Sequence, residues 1–491
     1  MLDKIKNIFK KNNKIKNSKY FTGASHNRED GMGDFDHRRI DFSDQFFDRE
    51  IYDLRNRCFR AYFNYPLATS VINTFTKYTT PLKFQSKVKN SNLSADEILV
   101  INNFIEDLFY KNFSKNIDYN GEYNFKSFQD AVAFSYLIFG EAIIVRRYLK
   151  NPRGGFRTKY QIIPPEMVVS PGGRNIIDQG INNGIKFNSE GQPDSIYVLK
   201  YRPSMSQPNP ITPPESDLNN IKFYDKNGYK QVFHLYNKLF PWQYRGIPIL
   251  TPVLKDIHNI KKYNDSEWMK KRMIANLVYF HQSANPEKTY LDSILAQDIN
   301  TGDEVEIIES LKMEPGEIVY GNTEDELKAI DSDMTDNNFD SYLKHNIEII
   351  GSALSIAPFL ISGDYGSINY SSARAGLIST KNVFKKQIEY YIDNLYDYMI
   401  NDFINEAVDA KYIEGFDKED LEFNFIYPKI ELMDPAKEMS AIVTQLENQL
   451  TSKTEVIKNL GYDIDDILYD LKTERDKFKD LENDMGQIDK E

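Results

Sequence analysis

An α+β fold is what this 491-residue chain predicts. Apolar residues recur three and four apart over long stretches, the period of a half-buried helix. Short β-branched and aromatic runs bounded by Gly, Pro and Asn lie between residues 140 and 236 and read as strands. After residue 245 the helical period dominates, so strands and helices are partly segregated along the chain, as in an α+β arrangement. The length accommodates about two to four domains.

Taken in order, residues 1–45 are rich in Asn, Asp, Lys and Gly with weak periodicity. They read as a basic arm, in which Leu2, Ile5, Ile8 and Phe9 could form a short amphipathic turn. Residues 46–80 read as helix, broken at Asn64-Tyr65-Pro66. Helices are expected over 97–117 and 125–139, and strands over 140–148, 158–170, 194–202 and 230–236. Asn-Pro-Arg-Gly-Gly at 151–155 is a turn, and the five prolines of 203–221 predict an extended surface loop. A long helix is expected from Arg245 to about Val278, with Pro252 in its first turn. Its stripe of Leu254, Ile257, Ile260, Trp268, Ile274 and Leu277 is interrupted by six bases. Short strands follow at Val305–Ile308 and Gly316–Tyr320. A helix over 338–356 shows Phe339, Tyr342, Leu343, Ile347, Ile350 and Leu354 on one face. Residues 358–372 then read as a small polar loop, and a third long helix covers about 371–408. A strand at Phe423–Tyr427 and two closing helices, 434–449 and 464–482, complete the chain. Asp434 and Pro435 suit the cap and first turn of the first of these.

Apolar content of 41% and charged content of 27% are ordinary for a soluble globular protein. No apolar run reaches 18 residues, so no membrane-spanning helix is expected, and the N-terminus lacks the apolar core of a secretory signal. Cys58 is the only cysteine, which excludes an intrachain disulfide and fits a reducing compartment. The 32 Tyr and 31 Phe suit large, partly wet subunit interfaces. Net charge is −12, and its distribution is uneven. Residues 1–20 hold seven Lys against one Asp, residues 283–338 fifteen acids against three Lys, and residues 431–491 sixteen acids against eight bases. An acidic chain of this kind is a poor nonspecific DNA binder and a reasonable surface for DNA to pass without sticking.

Motifs of catalysis are missing from the sequence. There is no phosphate-cradling Gly-x-x-x-x-Gly-Lys-Ser/Thr, no His-Glu-x-x-His, no paired Cys spacing and no Gly-x-Ser-x-Gly elbow. The six His, at 26, 37, 234, 258, 281 and 345, are scattered and read as structural, with His234 on a strand. Neither an enzyme nor a cofactor or metal is expected.

Wording distributed along the chain is similar to that of one known protein family. Asn64-Tyr-Pro-Leu-Ala-Thr-Ser-Val-Ile-Asn73 is similar to the family's N-x-P-L-A-x-x-x-I. Phe125-Lys-Ser-Phe-Gln-Asp130 and Phe139-Gly-Glu-Ala142 resemble S-F-x-x-L-Q and D-G-E-A, with Phe139 where the family has Asp. Ile163-Pro-Pro-Glu166, Gly180-Ile-Asn-Asn-Gly-Ile185, Val232-Phe-His-Leu235 and Tyr244-Arg-Gly-Ile-Pro-Ile-Leu250 follow in the family's order. Ser362-Gly-Asp-Tyr-Gly-Ser-Ile-Asn-Tyr-Ser-Ser-Ala-Arg-Ala-Gly376 resembles x-x-D-Y-S-x-x-N-Y-S-S-x-R-x-G, with Gly366 where Ser is usual. Asp434-Pro-Ala-Lys-Glu438, Thr451-Ser-Lys-Thr-Glu-Val-Ile457 and Gly461-Tyr-Asp463 resemble the closing pattern. Two departures, Thr79-Thr-Pro in place of a glycine and Phe-Ile-Tyr-Pro in place of tryptophan-rich wording, look like local repacking. Each piece is weak alone, and together, in order over about 60–475, they resemble the lambda-like family of tailed-phage portal proteins.

The resemblance implies a portal fold of wing, stem, clip and crown, assembled as a dodecameric ring around a central channel at one capsid vertex. It implies an arm over 1–45, a wing over 46–246 and a first stem helix over 247–281. A clip over 282–337, a second stem helix over 338–357 and a tunnel loop over 358–372 follow. A long helix returns to the wing over 373–430, and the crown is 431–491. Double-stranded DNA would pass through nonspecifically. The large terminase would dock first and a head–tail connector later, with the major capsid protein and scaffold as further partners and no membrane. Assembly would occur in the host cytoplasm and the product would reside in the virion. On that frame Ser362, Asp364, Tyr365, Ser367, Asn369, Tyr370, Ser371 and Ser372 line the channel. Arg374 is either a phosphate contact or, as we favour, an interface partner for an acid on a neighbouring subunit. Lys255, Lys261, Lys262, Lys270, Lys271 and Arg272 are the bases of the first stem helix. Glu304, Glu306 and Glu309 in the acidic block dock a motor or adaptor, although such a block also reads as a solvated loop. A ring-forming scaffold unrelated to phages and a DNA-processing enzyme are the other readings.

Overall fold

The computed structural model describes residues 44–88, 93–152, 154–173, 180–201, 213–241, 243–276, 280–282, 319–321, 339–366, 368–416, 418–428 and 435–460, together with 464, 467–468, 471–472 and 474–475. The chain divides into residues 1–50 and a compact unit of 51–491. Of the first, the described part is the opening of helix α1, Asp44–Asn64. Residues 1–43 of the expected arm over 1–45, the strand at 305–308, Glu304, Glu306, Glu309 and the cap at Asp434 lie outside the described residues.

The compact unit mixes helices with small antiparallel sheets. Helix α1 ends where Pro66 forces Tyr65 into an extended conformation, and α2, Pro66–Thr79, starts with that proline at its first position. Strand β1, Lys83–Val88, pairs antiparallel with β11, Leu421–Ile426, setting Phe84 opposite Phe425. Helix α3, Ala95–Leu108, opens on a capping box of Ser94 and Glu97, and continues through a π turn and a 3-10 turn to Asn116. Helix α4, Phe125–Phe139, is capped by Asn124 and stops at Gly140, whose φ of 81° is the left-handed terminator that favours glycine.

Two sheets follow. Strands β2 (Glu141–Tyr148), β3 (Thr158–Ile163) and β8 (Val232–Tyr236) form the first, in the order β3-β2-β8. The second runs β4 (Ile181–Asn182), β5 (Ile185–Phe187), β6 (Pro193–Leu199) and β7 (Leu218–Lys222) in simple sequence. The strand expected over 158–170 is cut short because Pro164 and Pro165 cannot donate to a ladder, and a 3-10 turn replaces it. The surface loop expected over 203–221 is likewise shorter, because 218–222 pair with β6.

Helix α5, Leu254–Asn276, follows a 3-10 turn at 251–253, and α6 is Phe339–Leu354. Among the residues between them, β9 (Phe280–Gln282) pairs in parallel with β10 (Val319–Gly321). A five-residue helix α7, Pro358–Ser362, precedes α8, Tyr370–Tyr391, which runs through a π turn at 392–396 into α9, Asp397–Asp409. Helices α10, Pro435–Glu447, and α11, Lys453–Asn459, come last, and the described positions between 464 and 475 are helical. The core centres on a ring cluster of Phe84, Phe109, Phe113, Phe156 and Phe403, with Phe84 and Phe109 at 4.6 Å and Phe109 and Phe403 at 5.2 Å. Such pairs add about 0.5–1.5 kcal/mol each beyond the area they bury.

Candidate functional site

The polar segment between α6 and α8 is fixed at both ends. Pro358 starts α7, and Gly363, at φ 71°, ends it with its N–H on the Phe359 carbonyl. From α2, Ser70 Oγ donates to the Ile361 carbonyl at 2.6 Å and Thr74 Oγ1 to the Leu360 carbonyl at 3.2 Å. From α8, Thr380 Oγ1 accepts the Ala357 N–H at 2.9 Å. A Cβ on Gly376 would stand 3.2 Å from Ala357 Cβ and 3.3 Å from the Phe359 ring, so a small residue lets α8 close on α7. Ala357, Phe359 and Ala373 form a small core of their own there.

This leaves 363–369 as the loop proper, shorter than the expected 358–372. Its own side chains brace it. Ser362 Oγ accepts the Asp364 N–H at 3.1 Å, and Asp364 Oδ1 accepts the Gly366 N–H at 3.0 Å. Asn369 Oδ1 accepts the Ser372 N–H at 2.8 Å and caps α8. Tyr365 is 66% exposed, with its ring 5.9 Å from Phe359. Gly366 has open space around its Cβ direction except for Asp364 Oδ1 at 3.6 Å, so the serine usual in the family pattern would fit. Ser367 lies outside the described residues. Ser371, Ser372 and Arg374 are exposed on the first turns of α8 and Tyr370 is half-buried. Arg374 makes no ion pair among the described residues.

The six bases of α5 do not share one face. Lys255 and Lys262 lie exposed seven residues apart on one flank, Lys261 pairs with Asp265, and Lys271 Nζ sits 5.8 Å from the Phe339 ring centroid of α6. Lys270 is half-buried and Arg272 exposed. Helix α5 meets α6 through Tyr263, stacked on Phe339 at 5.7 Å and tilted on Tyr342 at 4.7 Å.

A buried ion cluster at the start of this helix pair went unread in the sequence. Glu141, fully buried at the head of β2, accepts from Arg245 Nη2 at 2.6 Å and Nε at 2.9 Å, and forms an ion pair with Arg55 Nη2 at 2.9 Å. It also takes the Gly246 N–H at 3.0 Å and stands 2.9 Å from His234 Nε2. Arg245 spends its remaining donors on the carbonyls of Pro165, Val168 and Asn183, so all five of its N–H groups are used. Arg55 ties the Phe139 and Gly246 carbonyls together. Two glycines make this crossing feasible: a Cβ on Gly246 would lie 1.9 Å from the Gly140 carbonyl oxygen, and one on Gly140 2.2 Å from the Ile247 carbonyl carbon. Burial would raise the Glu141 carboxyl, but the Arg245 and Arg55 guanidiniums outweigh it and hold the group well below the usual carboxylate range. Burial, partly offset by Glu141, lowers Arg55. The sequence pieces 139–142, 163–166, 180–185, 232–235 and 244–250 therefore meet at one carboxylate. The signal was a Glu within the otherwise apolar run Ala142–Val145 and its neighbours, a polar group that burial obliges to find partners.

A second tie holds α9 to the first sheet. Asp402 receives both Arg146 Nη1 contacts, at 2.7 and 3.0 Å, and the Tyr160 hydroxyl at 2.6 Å. Glu406 accepts the Arg157 and Thr158 N–H groups at the sheet edge. Among the described residues no cluster of three or more His, Cys, Asp or Glu could hold a metal ion, and no helix is long and apolar enough to cross a membrane.

Comparison with known proteins finds that the family described as phage portal protein, lambda family, matches residues 39–387. A relative described as a probable portal protein, from Halomonas phage phiHAP-1, is 21% identical over 397 residues, covering 76% of this chain and 70% of its own length. Among solved structures, a chain in the neck of a native GTA particle computed with C12 symmetry is 11% identical at a TM-score of 0.39, covering 84% of this chain and 94% of that one. One in the virion of a native gene transfer agent particle is 10% identical at a TM-score of 0.40, with the same shares.

Proposed function

Because the chain belongs to the lambda family of phage portal proteins, we propose that copies of it, twelve by the family's pattern, form a ring at one capsid vertex through which double-stranded DNA is packaged and later ejected. The family match across 39–387 carries this reading, since it takes in the wing sheets, the helix pair α5–α6 and the loop 363–369 together. The helix pair is the stem, the acidic residues 283–338 the clip, and the loop the channel's inner surface.

The chemistry of the loop supports that role. Duplex DNA presents a phosphate about every 1.7 Å along its axis, counting both strands, so a surface that gripped each one would stall translocation. Ser362, Asn369, Ser371 and Ser372 offer weak, exchangeable contacts, and Asp364 is turned to the Gly366 N–H. Arg374 is the interface partner of an acid on the neighbouring copy. The clip's acids dock the large terminase and then the head–tail connector, or keep DNA from adhering at the exit. Major capsid protein and scaffold meet the ring's outer surface in the assembling particle, and the role is structural, with no cofactor.

Imaging purified protein by negative stain tests the proposal. A ring whose pore admits duplex DNA is the expected result. A monomer that degrades DNA when metal is added would overturn it.

A further inference from the structure

Arg146, on β2, leaves one edge of its guanidinium unpaired. Its side chain is 4% exposed. Nη1 donates to both Asp402 oxygens, and the Tyr160 hydroxyl donates to one of the same two. Nε and Nη2 are buried and find no hydrogen-bond partner among the described residues. These two nitrogens form the side-on edge of the group, whose parallel N–H bonds match the two oxygens of a carboxylate. Buried donors are normally satisfied, so an open fork at this depth calls for an acceptor that the tie to Asp402 does not supply.

The cover at this edge is aromatic and thin. Arg146 Cζ lies 5.5 Å from the Tyr148 ring centroid and 5.4 Å from that of Tyr229. Tyr148 ends β2 and Tyr229 follows the turn at Asp225–Gly228, and they are 58% and 56% exposed. Exposed side chains change rotamer in picoseconds to nanoseconds, so the rings can part without moving the strands. A ring face attracts a cation but does not accept two directed hydrogen bonds as a carboxylate does. A second cation lies close by. Lys230 Nζ sits 4.7 Å from the ring centroid of Tyr398 on α9, and Tyr398 stands one helical turn before Asp402. Lys230 makes no ion pair among the described residues.

We propose that Arg146 is a docking point for the carboxylate of an acidic residue on a different protein, received on the Nε–Nη2 edge when the Tyr148 and Tyr229 rings part. Arginine and tyrosine around a desolvated contact are the residue types that dominate protein–protein binding energy, which favours a protein segment over a free ion. Charge disfavours nucleic acid. Asp225, Asp402 and Glu406 all act on the Tyr148 ring, and a run of phosphates would meet them. A single carboxylate reaches the fork at hydrogen-bond distance and brings no further charge. Asp225 and Glu406 are held on backbone N–H groups, so neither swings in to take the fork itself. The site is built within one copy and goes beyond the ring reading without depending on it.

The test uses the full chain at low ionic strength. A blocked Ala-Glu-Phe peptide and its Ala-Gln-Phe counterpart are titrated by calorimetry, with folding checked by circular dichroism. The Glu peptide should bind at least about tenfold more tightly than the Gln peptide. Arg146→Lys should lose about tenfold in affinity for the Glu peptide, because an ammonium keeps a charge for Asp402 but lacks the fork. Should that variant fold poorly, phenylglyoxal labelling of the wild-type protein, read by mass spectrometry of the digest, locates the contact directly. The Glu peptide should slow modification of Arg146 several-fold and leave half-buried Arg147 unchanged. Tyr148→Ala combined with Tyr229→Ala should speed modification of Arg146, since it removes the cover. Equal affinity for the two peptides, full affinity in Arg146→Lys, or a peptide that leaves Arg146 labelling unchanged would overturn the proposal. Protection of Arg146 by inorganic phosphate or a short DNA duplex, at concentrations where the Glu peptide gives none, would also overturn it by assigning the fork to phosphate.

Discussion

Glu141 is fully buried between two guanidiniums, and its removal leaves both of them without their shared counter-charge. Glu141→Gln should destabilise the fold by about 3–5 kcal/mol, read in chemical denaturation. An unchanged midpoint would mean that the cluster is not the anchor described here. Because the Glu141 pKa is depressed in the folded state, its contribution is complete above the usual carboxylate range and is lost as pH falls through the lowered value. Asp397, half-buried at the start of α9, behaves in the opposite sense. Burial, helped by Asp393, raises its carboxyl from 3.8 to about 6. Its folded form prefers the proton, so its contribution is full below the ordinary value and is lost as pH rises through about 6. Asp397→Asn should therefore melt at a higher temperature than wild type at pH 7.5, with the gap closing at pH 4. Equal melting temperatures at pH 7.5 would contradict this.

At the scale of elements, α8 begins where Asn369 caps it, and its first turns project Ser371, Ser372 and Arg374 outward. Thr380, Gly376 and Ala373 on its inner side hold it to α7, so the loop is suspended between two fixed points. An arginine placed this way, exposed and without an ion pair among the described residues, is available to a neighbour. Arg374→Ala should weaken ring assembly, by about 1 kcal/mol or more per contact, seen as a lower fraction of ring on a sizing column. Normal rings that fail only to retain DNA would assign Arg374 to phosphate instead. The six bases of α5 are spread round their helix, with Lys261 and Lys271 already engaged by Asp265 and Phe339. A continuous basic stripe along α5 is thereby absent among the described residues, which fits the proposed passage of DNA without adhesion.

For the whole molecule, the proposed docking role of the acidic residues 283–338 is open to a charge-reversal test. Reversing Glu304, Glu306 and Glu309 to Lys should leave rings intact and reduce packaging about tenfold at low ionic strength, with the deficit shrinking in salt. Packaging at the wild-type rate would discard the clip's docking role. The sequence by itself determined the long helices, because a 3.6-residue period is written locally. It set the break at Pro66, the ends of α4 and the family, whose motifs run in order along the chain, and it placed the polar loop, though not the short helix Pro358–Ser362 that trims it. Strand β1 escaped notice because Lys83, Gln85 and Lys87 alternate with only three inward residues, and its partner β11 lies at 421–426. Strand β7 was hidden beside five prolines and exists through pairing with β6. The Glu141 cluster was legible as separate words and not as a site. Arg245 is 104 positions from Glu141, and Arg55 is 191 from the Gly246 carbonyl it binds. Only the tertiary structure could bring those groups to one carboxylate, because a buried charge is satisfied by whatever the folded chain places beside it, irrespective of distance along the sequence.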